Sequence, residues 1–384
     1  MHKWCFGLLV LAVIAVAPCA SMAAQQSEFK LSPGEWQMRQ KTNAGVIRII
    51  ADDVDSTSFR AAAEVSSVLS GLEGLRVIPV VGRGSVSNIN DLLFLKEIDL
   101  AVVQQDVLDQ LRSTRAIPAL ERRVNYVTKL YNEEVHVLAR NEIQDISALA
   151  NRKVSFGPVG GGAAITATAL FDKLRIPVEV TNDDADVALM KLKSGEIDAM
   201  VYVDGKPVRL FEQLTAKDGV HFLAVPYDRS LYRAYTPSSL TSADYPNLIG
   251  SGEKLETPAV GAILTVFNWK EDTARFKAIA RFTDFFFARA RFLAKPPRHP
   301  KWSEMNLSAR IANWDRFRAA DEALPRLAAI SPDACTEPEL RAAIQTFLKD
   351  SKVALPRTNA LSEQDTSELT EKFKAWLKAN PQYQ

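Results

Sequence analysis

Short β-branched apolar runs alternate with amphipathic stretches along most of this chain. Residues 46–51 (VIRIIA) read as a strand, and over 58–69 Phe59, Ala62, Ala63, Ser66 and Leu69 fall on one helical face. Residues 75–81 form a second strand pattern. Val86, Ile89 and Leu93 then recur at helical spacing behind Ser85, which is placed to cap that helix, and 100–103 reads as a third strand ending in Gln104-Gln105-Asp106. A second series follows, with strand 154–157, a Gly-rich turn, helix 164–174, helix 185–192, strand 199–203 and strand 222–226. Strands alternating with helices favour an α/β fold with mainly parallel sheets.

Two further apolar strands, 134–140 (EVHVLAR) and 260–268 (VGAILTVFN), have the length to link two lobes. A Phe-rich amphipathic helix at 274–293 then returns the chain to the first lobe. The expected organisation is a signal peptide over 1–24, lobe 1 over 25–138 and 260–298, lobe 2 over 139–259, and a helical C-terminal extension over 299–384. Lys295-Pro-Pro-Arg-His-Pro opens that extension. Within it, 311–324, stopped by Pro325, and then 337–348 and 363–377 read as helices.

The N-terminus changes where such a protein is expected to work. Lys3 precedes an apolar run over 6–16, too short to span a bilayer, and Ser21-Met22-Ala23-Ala24 offers small residues for a secretory peptidase. A periplasmic protein with a cleaved signal peptide, starting near Ala24 or Gln25, is the expectation; lipidation at Cys19 is the alternative, with Pro18 where a small residue belongs. Removing Lys3 leaves equal numbers of basic and acidic residues, 46 of each, so no electrostatic footprint for nucleic acid or an anionic membrane is expected. No later apolar run reaches spanning length, which argues against a membrane-embedded protein. Of three cysteines only Cys335 lies beyond the signal segment, so the fold must rest on its core, and 47% hydrophobic residues supply one.

In an open α/β sheet, ligands collect outside the carboxyl ends of the strands, so the polar loops after successive strands point to one crevice for a small solute. The candidate ligand-binding residues are Asp53, Ser56 and Thr57 after the first strand, and Arg83 and Ser85 after the second. Gln104 ends the third; Gly161, Gly162, Ala163, Tyr202 and Asp204 come from the second series. Each has a plainer reading. Asp52, Asp53 and Asp55 are equally suited to be turn and N-cap residues, Ser85 a helix cap, Arg83 a surface side chain and Tyr202 a core residue. An unpaired amide in a core is costly, which favours the crevice for Gln104. His136, His221 and His299 show no metal-ligand spacing, and no nucleophile elbow or phosphate loop is present. Asp52, Asp53, Asp55 and Asp204 match no standard calcium loop. No cofactor, metal or enzymatic activity is expected.

The runs GRGSVSNINDLLFLKEIDLAVVQQD, SFGPVGGGAAITATALFD and LMKLKSGEIDAMVYVDGKPVRLF, followed by AYTPSSLTSADYP and TPAVGAILTVFNW, resemble ordered blocks of the TAXI family, the extracytoplasmic solute-binding subunits of TRAP transporters. The resemblance covers about residues 48–300. It implies a two-lobed fold like that of type II periplasmic binding proteins, closing on a small solute and presenting it to TRAP permease membrane subunits, fused or separate. The family's ligands include glutamate and dicarboxylates. Where the family usually has a loop like Gly-Gly-x-Gly-Gly-Thr-Tyr, this chain has Asp52-Asp53-Val54-Asp55-Ser56-Thr57-Ser58; its Gly-Ser-Gly-Thr turn is here Gly160-Gly161-Gly162-Ala163, and a usually small residue is Asp204. Buried carboxylates facing an anion are costly, so these departures favour a solute carrying an amine, or a zwitterion, over a dicarboxylate. The alternative is a transporter-free relative acting as a periplasmic sensor or interaction module.

Overall fold

The computed structural model describes residues 31–329 apart from 228, 230 and 233. The signal segment, Cys335 and the helices read at 337–348 and 363–377 lie outside the described residues. The chain divides into two units, 1–44 and 45–384. The described part of the first is one helix, α1 (Pro33–Asn43), opened by a Ser32–Glu35 capping box and burying no residue. Its Trp36 and Met38 make no apolar stripe, so the pattern of the sequence gives no sign of it.

The second unit is built on a ten-stranded sheet. It begins with β1 (Val46–Ala51), α2 (Thr57–Leu69), β2 (Arg76–Val81), α3 (Ser85–Phe94), β3 (Leu100–Gln104), α4 (Gln105–Ser113), α5 (Leu120–Arg123) and β4 (Val124–Arg140). Next come β5 (Lys153–Ser155), α6 (Gly162–Leu174), β6 (Glu179–Thr181), α7 (Ala185–Ser194), β7 (Ala199–Asp204), α8 (Arg209–Glu212), β8 (Val220–Leu223) and β9 (Thr236–Thr241). It closes with β10 (Lys254–Phe267), α9 (Ala274–Leu293) and α10 (Arg318–Ala329). The strand order is β2-β1-β3-β10-β4-β7-β5-β6, with β8 on β4 and β9 on β10.

Two strands hold the halves together. The first part of β4 pairs with β10, and from Glu134 on β4 pairs with β7 and β8. β10 likewise pairs with β9 up to Ala259 and with β3 from Ala262. Each half has apolar packing on both sheet faces: in the first, around Ile47, Phe282 and Trp302 and around Ile89, Leu108 and Trp314; in the second, around Leu170 and Phe171 and around Phe211, Phe222 and Tyr245. Sheets covered on both faces need strands that are apolar throughout, and β3 is buried at every residue. This is a two-lobed α/β fold in which β4 and β10 run from one half of the sheet into the other.

Several sequence expectations shift. The run 134–140 is only the second half of β4, and 260–268 only the later part of β10. The strand read at 154–157 ends at Ser155, before Gly157 turns to φ 85°. The strand read at 222–226 is β8, which ends at Leu223; the Val225 N–H bonds the Glu256 carbonyl instead. The helix read at 311–324 starts only at Arg318, because Tyr126 of β4 exchanges backbone hydrogen bonds with Asp315 and Phe317 and holds that stretch extended. Pro325 does not stop it: the proline falls on the exposed side, where the Asp321 carbonyl it releases meets water.

Candidate functional site

The first lobe contributes three chain turns to the crevice. After β1, Ser56 is the N-cap of α2, its Oγ accepting the Phe59 N–H at 3.1 Å. Asp52, Asp53 and Asp55 are therefore not caps. Asp53 accepts the Asp55 N–H at 3.0 Å in an exposed turn, while Asp52 faces inward and accepts Asn88 Nδ2 at 2.9 Å. The capping role read for Ser85 also falls away. Gly84, at φ 102°, takes the N-cap position and Ser85 is the first helical residue, its Oγ accepting the Gln104 N–H at 3.0 Å. Gln104 in turn donates from Nε2 to Glu133 Oε2 at 2.8 Å.

The second lobe meets these turns directly. Gly161 is the N-cap of α6, and a Cβ on Gly84 would stand 3.0 Å from the Gly161 Cα, so the lobes touch backbone to backbone. A Cβ on Gly162 would collide with the Gln104 amide. At the end of β7, Asp204 Oδ2 accepts the Thr57 N–H at 2.9 Å and Oδ1 accepts the Gly205 N–H at 2.7 Å, while Thr57 Oγ1 donates to the Gly205 carbonyl at 2.7 Å. A carboxylate of one lobe thus sits on the N-terminus of a helix in the other, where the dipole and free N–H groups favour negative charge.

Thr57, Ser85, Gln104, Gly161, Gly162 and Asp204 come together in this way, with Ser56 supporting Thr57. Ala163 is half-buried beside Gly157. The Tyr202 ring packs edge-on to Phe211 at 5.7 Å, in the core of the second lobe. Asp53 and Arg83 are exposed, and Arg83 makes no side-chain hydrogen bond among the described residues.

Two groups escaped the sequence reading, and a third, Asp106, was read only as part of the polar end of the third strand. Glu133 lies where β4 crosses between lobes, and Tyr131 stands two residues before it. Asp106 opens α4 and accepts Thr166 Oγ1 at 2.7 Å and the Tyr235 hydroxyl at 3.3 Å, both from the second lobe. The polar pair Glu133-Glu134 inside an apolar strand was the available signal.

Burial dominates the electrostatics. It pushes Asp204 up to about 8 against the pull of the Thr57 and Gly205 N–H groups, Asp52 up to about 7 with help from Asp53, and Asp106 up to about 6. Glu133 is raised well above the carboxylate range by burial, then by Asp204 and Asp52. The histidines belong elsewhere. His136 is fully buried, pushed down to about 3 by that burial, with Nε2 2.7 Å from the Tyr245 hydroxyl, and His221 Nε2 bonds the Ile143 carbonyl. Among the described residues no group of three or more His, Cys, Asp or Glu is placed to hold a metal ion. A groove of about 690 Å³ lined by Arg112, Arg115, Arg122 and Asn313 opens at the C-terminal end of α4, the opposite end from Asp106.

The sequence model of the NMT1-like family matches residues 63–262. Similar solved structures include the periplasmic binding protein BugD, at 11% identity over 74% of this chain and 95% of that one, with a TM-score of 0.47. An amino acid ABC transporter substrate-binding protein from Streptococcus pneumoniae, bound to L-arginine, is 13% identical over 71% of this chain and 98% of that one, with a TM-score of 0.39. A TctC solute binding protein from Polaromonas is 13% identical over 64% and 88%, with a TM-score of 0.37.

Proposed function

The chain belongs to the NMT1-like family, and from that premise we propose that it is a periplasmic solute-binding protein of the TAXI kind, capturing a small organic solute, a carboxylate or an amino-acid-like molecule, and delivering it to a TRAP permease. The observation that carries this reading is the convergence of strand ends and helix N-termini of two lobes, which among the described residues are joined by β4 and β10. The ordered TAXI-like blocks supply the transporter side of the proposal, and the signal-like N-terminus supplies the compartment. No helix of the described residues is long and apolar enough to cross a membrane. The scattered, packed histidines offer no support for catalysis.

Small-angle scattering tests the capture step. A saturating solute, identified by thermal shift from a panel of amino acids, amines and dicarboxylates, should reduce the radius of gyration of the ligand-free protein; an unchanged radius with a demonstrated ligand overturns closure.

One observation favours the second reading, a transporter-free sensor or interaction module. Asp204 already caps α2 across the crevice, so the chain's own carboxylate occupies a seat that suits an anionic solute. Binding of a periplasmic partner protein with no solute dependence would support that module over the transporter subunit.

A further inference from the structure

Resting on the capture reading, the geometry points to a seat for the protonated primary amine of a small solute, formed at the front of the hinge by Glu133, Asp52, Asp204, Gln104 and Tyr131. Four carboxylates line this part of the crevice, each from a different element: Asp52 after β1, Asp106 on α4, Glu133 on β4 and Asp204 on β7. Glu133 and Asp204 are each only 3% exposed. Among the described residues none of the four is hydrogen-bonded or ion-paired to a lysine, arginine or histidine. Their donors are amides, hydroxyls and backbone N–H groups, and Glu133 has only the Gln104 amide.

The unpaired atoms say which chemistry is lacking. Gln104 Oε1, Asn88 Oδ1 and the Tyr131 hydroxyl have no hydrogen-bond partner, although the three residues are 3%, 0% and 1% exposed. Gln104 turns its donor, Nε2, to Glu133, while its Oε1 backs onto Gly162 and Asn88 Oδ1 backs onto Gly82. The Tyr131 ring stands against Gly205, next to Asp204, so its hydroxyl is the unpartnered polar group at the seat. The Tyr131 hydroxyl can accept a hydrogen bond. The seat thus lacks a donor for that hydroxyl and a cation for its carboxyl groups. A carboxylate ligand supplies neither, whereas an ammonium group brings three N–H donors and one unit charge.

The same strand carries an internal precedent. Glu134, the next residue, lies on the other side of the hinge with Lys301 Nζ 2.7 Å from its Oε1, a primary ammonium bound by a buried carboxylate. What Lys301 supplies behind the hinge, a solute amine supplies in front.

Isothermal titration calorimetry of the mature protein with 1,4-diaminobutane, L-alanine and succinate tests the assignment. The diamine should bind saturably, the zwitterion should follow if its carboxylate finds the α6 N-terminus, and succinate should not bind. Glu133→Gln and Asp52→Asn should each weaken diamine binding by about 30-fold or more, the loss typical of removing one partner of a buried charge pair. Unchanged circular dichroism and melting would show that both variants fold. Saturable succinate binding with no response to the diamine overturns the amine seat while leaving solute capture intact. Diamine binding that both variants leave unaltered overturns the seat as placed. Silence from all three probes counts against the seat, and capture fails with it only if a wider thermal-shift panel also finds no ligand.

Discussion

Glu133 and Glu134 are neighbours on one strand at the point where it crosses between lobes, both buried, and the protein treats them in opposite ways. Glu134 accepts from Lys301 Nζ at 2.7 Å, Ser238 Oγ at 2.9 Å and the Lys206 N–H at 3.2 Å. Lys301 is further held by Glu304 at 2.7 Å. Glu133 has one neutral amide. Burial raises the pKa of both, but Lys301 pulls Glu134 back, whereas Asp204 and Asp52 push Glu133 further up. A β-strand sends successive side chains to opposite faces, so one residue can complete the hinge internally while the next faces the crevice. The back of the hinge is finished by a segment that comes from far along the chain; the front is left as buried carboxyl groups with no cation beside them.

The largest break in this comparison should come from Lys301→Met. It leaves Glu134 as a buried charge without its cation, for which a cost of about 3–5 kcal/mol is typical. Urea unfolding should show the midpoint falling with the slope unchanged. A loss below about 1 kcal/mol would mean that the pair behaves like an exposed one and that the two sides of the hinge are not so different.

How much of this was legible in the sequence depends on polarity. β1, α2, α3, α6 and α9 carry clean apolar periods and were readable to within a few residues. The first half of β4 was not, because Asn125, Thr128, Lys129, Asn132 and Glu133 interrupt its apolar pattern. Two of those interruptions have tertiary causes: Asn125 Nδ2 donates to the Arg316 carbonyl, and Glu133 takes Gln104. α4 was hidden because Gln105 and Asp106 look like the polar end of β3, and β9 (TPSSLT) has no apolar alternation. For the site, Thr57, Gln104 and Asp204 stood at strand and helix ends where α/β geometry gathers ligands, so they could be named in advance. Lys301 could not, since nothing local to it marks a partner 167 residues away.

A second effect separates the crevice from the rest by pH. An acid whose folded pKa lies above its ordinary 3.8 holds its proton more tightly in the folded chain, so its contribution to stability is complete below 3.8 and is lost as pH rises through the folded value. Asp52, at about 7, and Asp204, at about 8, still lose theirs above pH 6.5. The buried His136 and His299, held down at about 3 and about 4, are neutral folded but still half protonated unfolded at pH 6.5, so they offset part of this loss up to about pH 7.5. The ligand-free protein should therefore lose stability from pH 6.5 to 9, on the order of 2 kcal/mol. Denaturation at several pH values checks this, and Asp204→Asn should flatten the curve. A wild-type curve that is flat or rises over this range would show that these carboxylates are ionised in the folded crevice.

The smallest effect sharpens the contrast between buried and exposed contacts across the crevice. The turn after β1 reaches the second lobe three times: Thr57 donates its N–H to Asp204 at 2.9 Å and its Oγ1 to the Gly205 carbonyl at 2.7 Å, and Asp55 pairs with Arg209 at 3.2 Å. The Asp55–Arg209 contact pairs full opposite charges, yet its side chains are 60% and 75% exposed. In water such a pair is screened and must also immobilise two side chains, so Arg209→Ala should change stability by less than about 1 kcal/mol and leave solute binding intact. Asp204→Ala strips a buried helix N-terminus of its acceptor and should cost more, about 1–3 kcal/mol, the usual penalty for a stranded buried donor. Urea midpoints of the two variants side by side decide the matter. If Arg209→Ala proves the costlier change, the lobes are held by their rim, and the carboxylates inside the crevice are passengers of closure instead of its cause.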